Sequence, residues 1–324
     1  MSQHTTDRTG FRVQVVGRRR EAERIISLEL AATEDGEPLP RYEPGSHIDV
    51  NIGGFMRQYS LCGDPGAPSW RIAVLEEPQS RGGSRAIHEQ TPIGTILQVG
   101  MPRNLFRLDE SAPAILVAGG IGITPILAMA RALAAAGKAF ELHYCAKRPE
   151  VMAFHDELKS GNFSDAVQFY FSDEGVNSRP FDAMNILRDS PPDARLYICG
   201  PTGFIDYVQS AAQTIGWATD RIHRESFAAV SEQNGRCFFQ IRLLSDGRLL
   251  DVEEGMTALQ VLLDAGVDVP YSCESGICGS CLTTVVEGVP DHRDQFMTDA
   301  ERARNDQFTP CCSRAHTPQL VLSL

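Results

Sequence analysis

The chain contains no apolar run approaching the length of a membrane-spanning helix. Its opening residues, Met-Ser-Gln-His-Thr-Thr-Asp-Arg, lack the apolar region of a secretory signal. Both absences lead to the expectation of a cytoplasmic chain with no membrane partner. Positive charge is also in deficit: 30 Lys and Arg stand against 42 Asp and Glu, a net charge of −12, which argues against a nucleic-acid partner. The nine cysteines lack the paired short spacings of a structural zinc site. A disulfide framework is not expected without a secretory signal. The Gly-x-Gly-x-x-Gly dinucleotide fingerprint is missing from the glycine-rich middle of the chain. What remains, 42% hydrophobic and 22% charged residues over 324 positions, is the composition of a globular protein of two or three domains.

The densest chemistry is a cysteine loop. Cys273-Glu-Ser-Gly-Ile-Cys278-Gly-Ser-Cys281 is followed by Cys311, so four, two and 29 residues separate successive thiols. Two irons bridged by two sulfides need four thiolates, and the first two gaps are those of plant-type [2Fe-2S] ferredoxins. Ser275, Gly276, Gly279 and Ser280 are small, as they must be where backbone approaches sulfide. Backbone N–H groups of such a loop can bond the sulfurs and tune the potential. The loop resembles that of plant-type ferredoxins, and the resemblance covers about residues 237 to 324. Cys311 and Cys312 are neighbours, and adjacent side chains of an extended segment point to opposite sides. The 29-residue gap favours Cys311 as the fourth ligand. The other five cysteines read as free thiols.

Residues 11–16, 24–30, 47–52, 58–61, 71–74 and 95–99 read as short strands separated by turn signals such as Pro44-Gly45 and Pro65-Gly66. Six short strands without a long helix imply a small antiparallel barrel. Arg57-Gln58-Tyr59-Ser60 places Arg57 and Tyr59 on one face of a strand. An Arg grips phosphate bidentately, and a Tyr ring packs beside a planar cofactor. Residues 81–88 read as a glycine-rich turn opening a helix with Ser84 as N-cap, a ready anion site. Each segment alone is a weak signal. Together they point to a flavin whose phosphate is held by Arg57 and the Gly82-Gly83-Ser84 turn.

Next, Ala114-Ile-Leu-Val-Ala118 is an apolar run of the kind found in strands buried on both faces. It leads through Gly119-Gly120-Ile121-Gly122-Ile123-Thr124-Pro125 into a helix over 126–136. Strands at 140–145, 167–172 and 196–199 alternate with helices near 154–159, 185–188 and 204–214, which argues a parallel sheet covered on both faces. Cys199-Gly200-Pro201 closes the last of these strands at its carboxyl end, where such sheets bind ligands. Glu225-Ser226-Phe227 ends the domain, and 229–236, with Asn234-Gly235, reads as a linker. A hairpin at Asp246-Gly247, a helix over 257–265 and strands at 282–286 and 320–324 complete the ferredoxin-like part.

Arg-x-Tyr-Ser followed by Gly-Gly-Ser resembles the flavin domain of ferredoxin–NADP reductase-like proteins. The order of barrel, nucleotide domain and C-terminal ferredoxin resembles the phthalate dioxygenase reductase family, with vanillate demethylase reductase among its relatives. The resemblance implies three domains: an FMN-binding antiparallel β-barrel at 1–108, an NAD-binding α/β parallel-sheet domain at 109–228, and a β-grasp [2Fe-2S] domain at 237–324. It implies that Arg57, Gly82, Gly83 and Ser84 hold the FMN phosphate. Tyr59 and Ser60 would lie against the flavin ring, with the backbone of Ala73 and Val74 at its edge. Gly119, Gly120, Gly122, Thr124, Cys199, Gly200 and Pro201 would shape the nicotinamide and pyrophosphate site. Asp173 would bind the adenosine ribose, and Phe227 would cover the flavin or fill the nicotinamide position. Ser60, Thr124 and Cys199 would lie at the reacting atoms, and Cys273, Cys278, Cys281 and Cys311 would ligate iron.

A nicotinamide gives two electrons at once and a [2Fe-2S] cluster accepts one, so a flavin must divide the pair. The implied function is a reductase that passes electrons from NADH through FMN and the cluster to a Rieske-type terminal oxygenase acting on an aromatic acid or methoxylated aromatic. Asp173 and Glu174 favour NADH, whereas Lys147 and Arg148 would suit NADPH. Residues 237–324 carry 6 basic and 13 acidic side chains, the most acidic part of the chain. That excess reads as a solvated surface or as a docking face for the redox partner. Two other readings are a redox-sensing interaction module and a free-standing flavin reductase or NAD(P)H oxidase. The flavin and nicotinamide motifs oppose the first, and the attached ferredoxin opposes the second.

Overall fold

The computed structural model describes residues 10–78, 82–173, 180–227 and 238–324. The proposed linker at 229–236, Glu174 and Arg81 lie outside these residues. The chain separates into two compact units, residues 1–227 and 228–324.

The first unit begins with β1 (Phe11–Ala22), β2 (Ile25–Ala32), β3 (Ser46–Ile52), β4 (Phe55–Ser60) and β5 (Trp70–Leu75), then α1 (Gly83–Gln90), β6 (Ile96–Val99) and β7 (Arg103–Asn104). The antiparallel sheet runs β4-β3-β6-β1-β2-β5, with β7 on β3. Inward alternation buries Val13, Val15, Leu28, Leu30, Ile48, Val50, Trp70 and Ile72 in one core. β1 extends beyond the alternating residues because a register shift at Val15/Gly17 keeps the polar run Gly17–Arg20 on the ladder, and a second shift at Arg20/Ala22 leaves Glu21 out of it. The sheet curls until its two ends touch. Leu61 bridges to Ile72, and the Cys62 N–H donates to the Arg71 carbonyl at 2.8 Å. The ladder stops at that bridge. The next residues in antiparallel register, Tyr59 and Ser60 on one strand and Val74 and Ala73 on the other, therefore border an open seam.

The same unit continues with β8 (Ala114–Gly119), α2 (Ile123–Ala135), β9 (Phe140–Ala146), α3 (His155–Ser160), β10 (Val167–Phe171), α4 (Ala183–Arg188), β11 (Arg195–Gly200), α5 (Thr202–Thr214) and β12 (Ile222–Ser226). The parallel sheet has the order β10-β9-β8-β11-β12, so strand order reverses between β8 and β11, where open α/β sheets form their ligand crevice. α2 starts at Ile123, earlier than the sequence implied. Pro125 falls in its first turn, where the missing N–H has no intrahelical partner to lose. β12 was not expected as a strand, since Ile-His-Arg-Glu-Ser has neither an apolar run nor alternation; pairing with β11 makes it one. An ionic cluster ties barrel to parallel sheet: Arg71 bonds Glu21 at 2.7 Å and Glu157 at 2.9 Å, and Arg131 also pairs with Glu157.

The second unit contains β13 (Phe239–Leu243), β14 (Leu249–Val252), α6 (Ala258–Asp264), β15 (Thr283–Glu287), β16 (Pro290–Asp291), α7 (Asp299–Arg302), β17 (Gln307–Phe308), β18 (Arg314–Ala315) and β19 (Gln319–Leu322). Its sheet runs β14-β13-β19-β15-β17, with β13 and β19 parallel and their neighbours antiparallel. The Thr257 hydroxyl caps α6 by accepting the Gln260 N–H at 3.1 Å. Leu259 and Leu262 of α6 pack on Phe239, Ile241 and Leu320, the mixed sheet on one helix of a β-grasp fold.

Candidate functional site

The barrel seam gathers the first set of residues. Arg57 of β4 donates from Nη1 to the Met56 carbonyl at 2.7 Å, and its guanidinium lies 5.5 Å from the Phe55 ring centre. The Arg57 side chain rests on the start of α1, where a Cβ at Gly83 would come within 2.8 Å of its Cγ and Nε. Gly82 has φ +112, and a Cβ there would meet the Phe55 ring at 2.4 Å. Both positions therefore require glycine, one for contact with the cation and one for backbone conformation as well. The expectation for Ser84 is corrected. Gly82 caps α1 and Ser84 lies inside the helix, because the turn is made at positive φ, which serine disfavours. The Ser84 hydroxyl accepts the Glu77 N–H at 3.2 Å instead.

An Arg beside a helix N-terminus is a donor set for one phosphate. Next to it Tyr59 is pushed up to about 12 by burial, against the pull of Arg57. Ser60, Ala73 and Val74 are buried at the seam. Sequence reasoning missed His88, whose Nε2 meets the Val74 carbonyl at 2.9 Å and so joins α1 to the seam edge of β5.

The carboxyl ends of β8 to β11 border a cleft of about 910 Å³. It is lined by Gly119, Gly120, Pro201 and the aromatic side chains of Tyr170, Phe181 and Phe204. The glycines divide by role. A Cβ at Gly122 would lie 2.3 Å from the Cys199 carbonyl oxygen, and one at Gly119 or Gly200 would strike Phe204 at 2.8 or 2.9 Å. These three permit close packing of the two strand ends and the turn between them. Gly120, at φ +56, has nothing within 4 Å of a Cβ and borders open space. Thr124 is buried and donates from Oγ1 to the Ile121 carbonyl at 3.0 Å. Asp173 is exposed beside the cleft, its N–H donating to the Lys147 carbonyl at 3.0 Å. Phe227 follows β12 and is partly exposed.

Cys199 is fully buried, and burial, reinforced by Glu225, raises its thiol well above the usual range. Glu225, opposite Cys199 in the β11–β12 register, escaped sequence reasoning because β12 itself did. Its carboxyl is buried, Oε2 has no hydrogen-bond partner among the described residues, and burial pushes it up to about 8.

In the second unit the four cysteines converge. The Cys273 thiol contacts those of Cys278 and Cys311, and Cys311 also reaches Cys281 and Cys312. This is a string of contacts, and among the described residues no three ligand side chains close round a single ion. A cluster of two irons, each taking two thiolates, fits such a spread. The N–H groups of Ser275 and Ile277 donate to Cys273 Sγ, and that of Ser280 donates to Cys278 Sγ, each at 3.4 Å. Gly276 (φ +73) and Gly279 (φ +67) shape the loop. A Cβ at Gly276 would sit 2.5 Å from Cys312 Sγ, and one at Gly279 would sit 2.5 Å from the Phe296 ring. Sequence reasoning missed this brace: the Gln295 N–H donates to the Gly276 carbonyl at 2.8 Å, and Asp294 accepts the Phe296 and Met297 N–H groups.

A parallel sheet with a cleft at its reversal point, a barrel with a single-phosphate donor set and a thiol-lined ferredoxin loop define an electron-transferring oxidoreductase. The sequence matches the 2Fe-2S iron-sulfur cluster binding domain over residues 241–316 and the oxidoreductase NAD-binding domain over 116–210. It is 51% identical to the vanillate O-demethylase oxidoreductase of Pseudomonas sp. (strain HR199 / DSM 7063), over 94% of this chain and 96% of that one. It is 39% identical to the phthalate dioxygenase reductase of Burkholderia cepacia, over 99% of both. A solved phthalate dioxygenase reductase, described as a modular structure for electron transfer from pyridine nucleotides to [2Fe-2S], superposes with a TM-score of 0.78 at 38% identity, covering 98% of this chain and 99% of the other. The chain belongs to the phthalate dioxygenase reductase and vanillate O-demethylase oxidoreductase family. It is an NADH-dependent oxidoreductase with FMN and a [2Fe-2S] cluster as cofactors. Among the described residues no helix is long and apolar enough to cross a membrane.

Proposed function

We propose that this chain is the reductase component of a cytoplasmic oxygenase system whose terminal partner is a Rieske-type oxygenase acting on an aromatic acid or methoxylated aromatic. The names of the relatives, vanillate O-demethylase oxidoreductase and phthalate dioxygenase reductase, support that substrate class. The observation that carries the reading is the joining, in one chain, of a nucleotide cleft and a one-phosphate flavin site with a separate thiol-lined unit. Bound FMN supplies the exchange between hydride and single electrons, and the cluster supplies one-electron delivery.

The chain's own residues supply position and insulation. Arg57 with Gly82, Gly83 and Ser84 holds the FMN phosphate, while Tyr59, Ser60, Ala73 and Val74 bracket the ring along the seam. Gly120 leaves room for the nucleotide, and Gly119, Gly122 and Gly200 hold the strand ends that frame it. Thr124 and Pro201 fix the turn ends, Asp173 faces the adenosine ribose, and Phe227 closes the flavin side. Cys199 and Glu225, both buried, keep water from the reacting atoms and carry no charge at neutral pH. Cys273, Cys278, Cys281 and Cys311 ligate the irons. The modules run from 1 to 108, 109 to 228 and 237 to 324, with a linker between the last two.

A single phosphate site suits FMN, which carries one phosphate, better than FAD, which carries two. Flavin released by heat should chromatograph as FMN, and a predominance of FAD would contradict the site. Gly83→Ala, which drives a methyl into Arg57, is expected to lower flavin content by about tenfold through loss of a charge-assisted phosphate contact. Full flavin occupancy in that variant would remove Arg57 from the site. The functional reading is tested by mixing the holoprotein, NADH and a purified Rieske oxygenase with vanillate or phthalate. Product coupled to NADH is expected, and stoichiometric peroxide with no product would favour a free-standing oxidase.

A further inference from the structure

Among the described residues, three cations border the nucleotide cleft: Arg24, Lys147 and Arg148. Such residues ordinarily attract the 2′-phosphate that distinguishes NADPH from NADH. One of them is already engaged. Glu23, in the turn between β1 and β2, forms a salt bridge with Arg148 Nη2. Glu150 stands 3.7 Å from Arg148 Nε. The Glu23 N–H also donates to the Glu150 carbonyl at 2.9 Å, so both carboxylates approach the guanidinium from a joined backbone. Asp173 adds a third negative charge at the tip of the adjoining strand, where its N–H bonds the Lys147 carbonyl.

We propose that Glu23, a residue of the flavin barrel, is a specificity-determining residue of the nucleotide site, and that its pairing with Arg148 withholds from a 2′-phosphate one of the cations that border the cleft. Arg recognises phosphate through a planar fork of N–H donors. The end of that fork toward Glu23 is taken, and a phosphate dianion would enter beside Glu23, Glu150 and Asp173. A ribose 2′-hydroxyl carries no charge and meets no such repulsion. Selectivity for NADH thus arises from a contact made against the competitor as well as from contacts made to the substrate. Glu23 touches no reacting atom and acts through Arg148. The inference rests on the assignment of this cleft to NADH, and deepens it.

Adenosine 2′,5′-bisphosphate and adenosine 5′-monophosphate differ only in the 2′-phosphate. The ratio of their dissociation constants, measured by calorimetry on the flavin-loaded full-length protein, therefore isolates that group. Glu23→Gln is expected to shift the ratio toward the bisphosphate by about tenfold, the scale of one regained hydrogen bond to a charged group. The gain with NADPH should fall on KM and leave kcat little changed. Adding Arg148→Gln to Glu23→Gln should return the ratio to that of the wild type. An unshifted ratio in Glu23→Gln, or a shift that survives removal of Arg148, overturns the proposal. A wild-type protein that binds the bisphosphate more tightly than the monophosphate would overturn NADH selectivity itself, and is recognised before any variant is made.

Discussion

Cys311→Ser is expected to abolish the iron–sulfur cluster, and Cys312→Ser to leave it in place. The two thiols are adjacent, yet their surroundings differ. Cys311 is buried in the core of the second unit, and its thiol reaches both Cys273 and Cys281. Cys312 contacts the Thr309 hydroxyl at 3.3 Å and fills the space that Gly276 leaves open. Serine oxygen is a poor match for an iron that prefers thiolate, so iron should fall from about two atoms per chain to near zero in Cys311→Ser. The flavin and nucleotide residues belong to a unit with its own cores. NADH-driven ferricyanide reduction should therefore persist in Cys311→Ser, while cytochrome c reduction is lost. Iron analysis with visible absorbance decides the matter, and retention of the cluster in Cys311→Ser with loss in Cys312→Ser would reverse the assignment.

The second large effect concerns Glu225. Burial pushes its carboxyl from an ordinary 4.5 up to about 8. A raised folded-state pKa means that the folded protein binds the proton more tightly than the unfolded chain. The stability gained from the proton is fully present below about pH 4.5, is lost as pH rises, and is gone above about pH 8. At 1.36 kcal/mol per unit, the swing across that window is roughly 5 kcal/mol. Glu225→Gln keeps the shape and stays neutral, so it should remove this slope. Thermal denaturation of the holoprotein should show wild type and variant nearly equal at pH 5, with the variant melting several degrees higher at pH 8. Parallel pH profiles would show that Glu225 is ionised in the folded protein across the range and stabilised by a partner.

The cluster loop was legible in the sequence because its chemistry fixes covalent spacing: three thiols in one loop must lie close in the chain. The barrel strands were legible through alternation, and β8 through its apolar run. β12 was not, since an edge strand with one apolar residue is defined by its partner. Glu225 was lost with it. The glycine-rich turns were visible, but their division was not. Whether a glycine admits a ligand, as Gly120 does, or a neighbouring carbonyl, as Gly122 does, depends on what the fold brings opposite. The cap of α1 moved from Ser84 to Gly82 for a similar reason, the Phe55 ring and a positive φ outweighing side-chain capping preference. The Glu23–Arg148 pair joins residues more than a hundred positions apart, and nothing local announces it.

The central claim is that NADH fills two one-chain redox centres in series, and an anaerobic NADH titration of the holoprotein tests it most directly. FMN takes two electrons and the cluster one, so complete bleaching should require about 1.5 NADH per chain. The paramagnetic signal of a reduced [2Fe-2S] cluster should grow to about one spin per chain. A titration that ends at about one NADH, with the flavin bleached and the cluster still oxidised, would contradict the account.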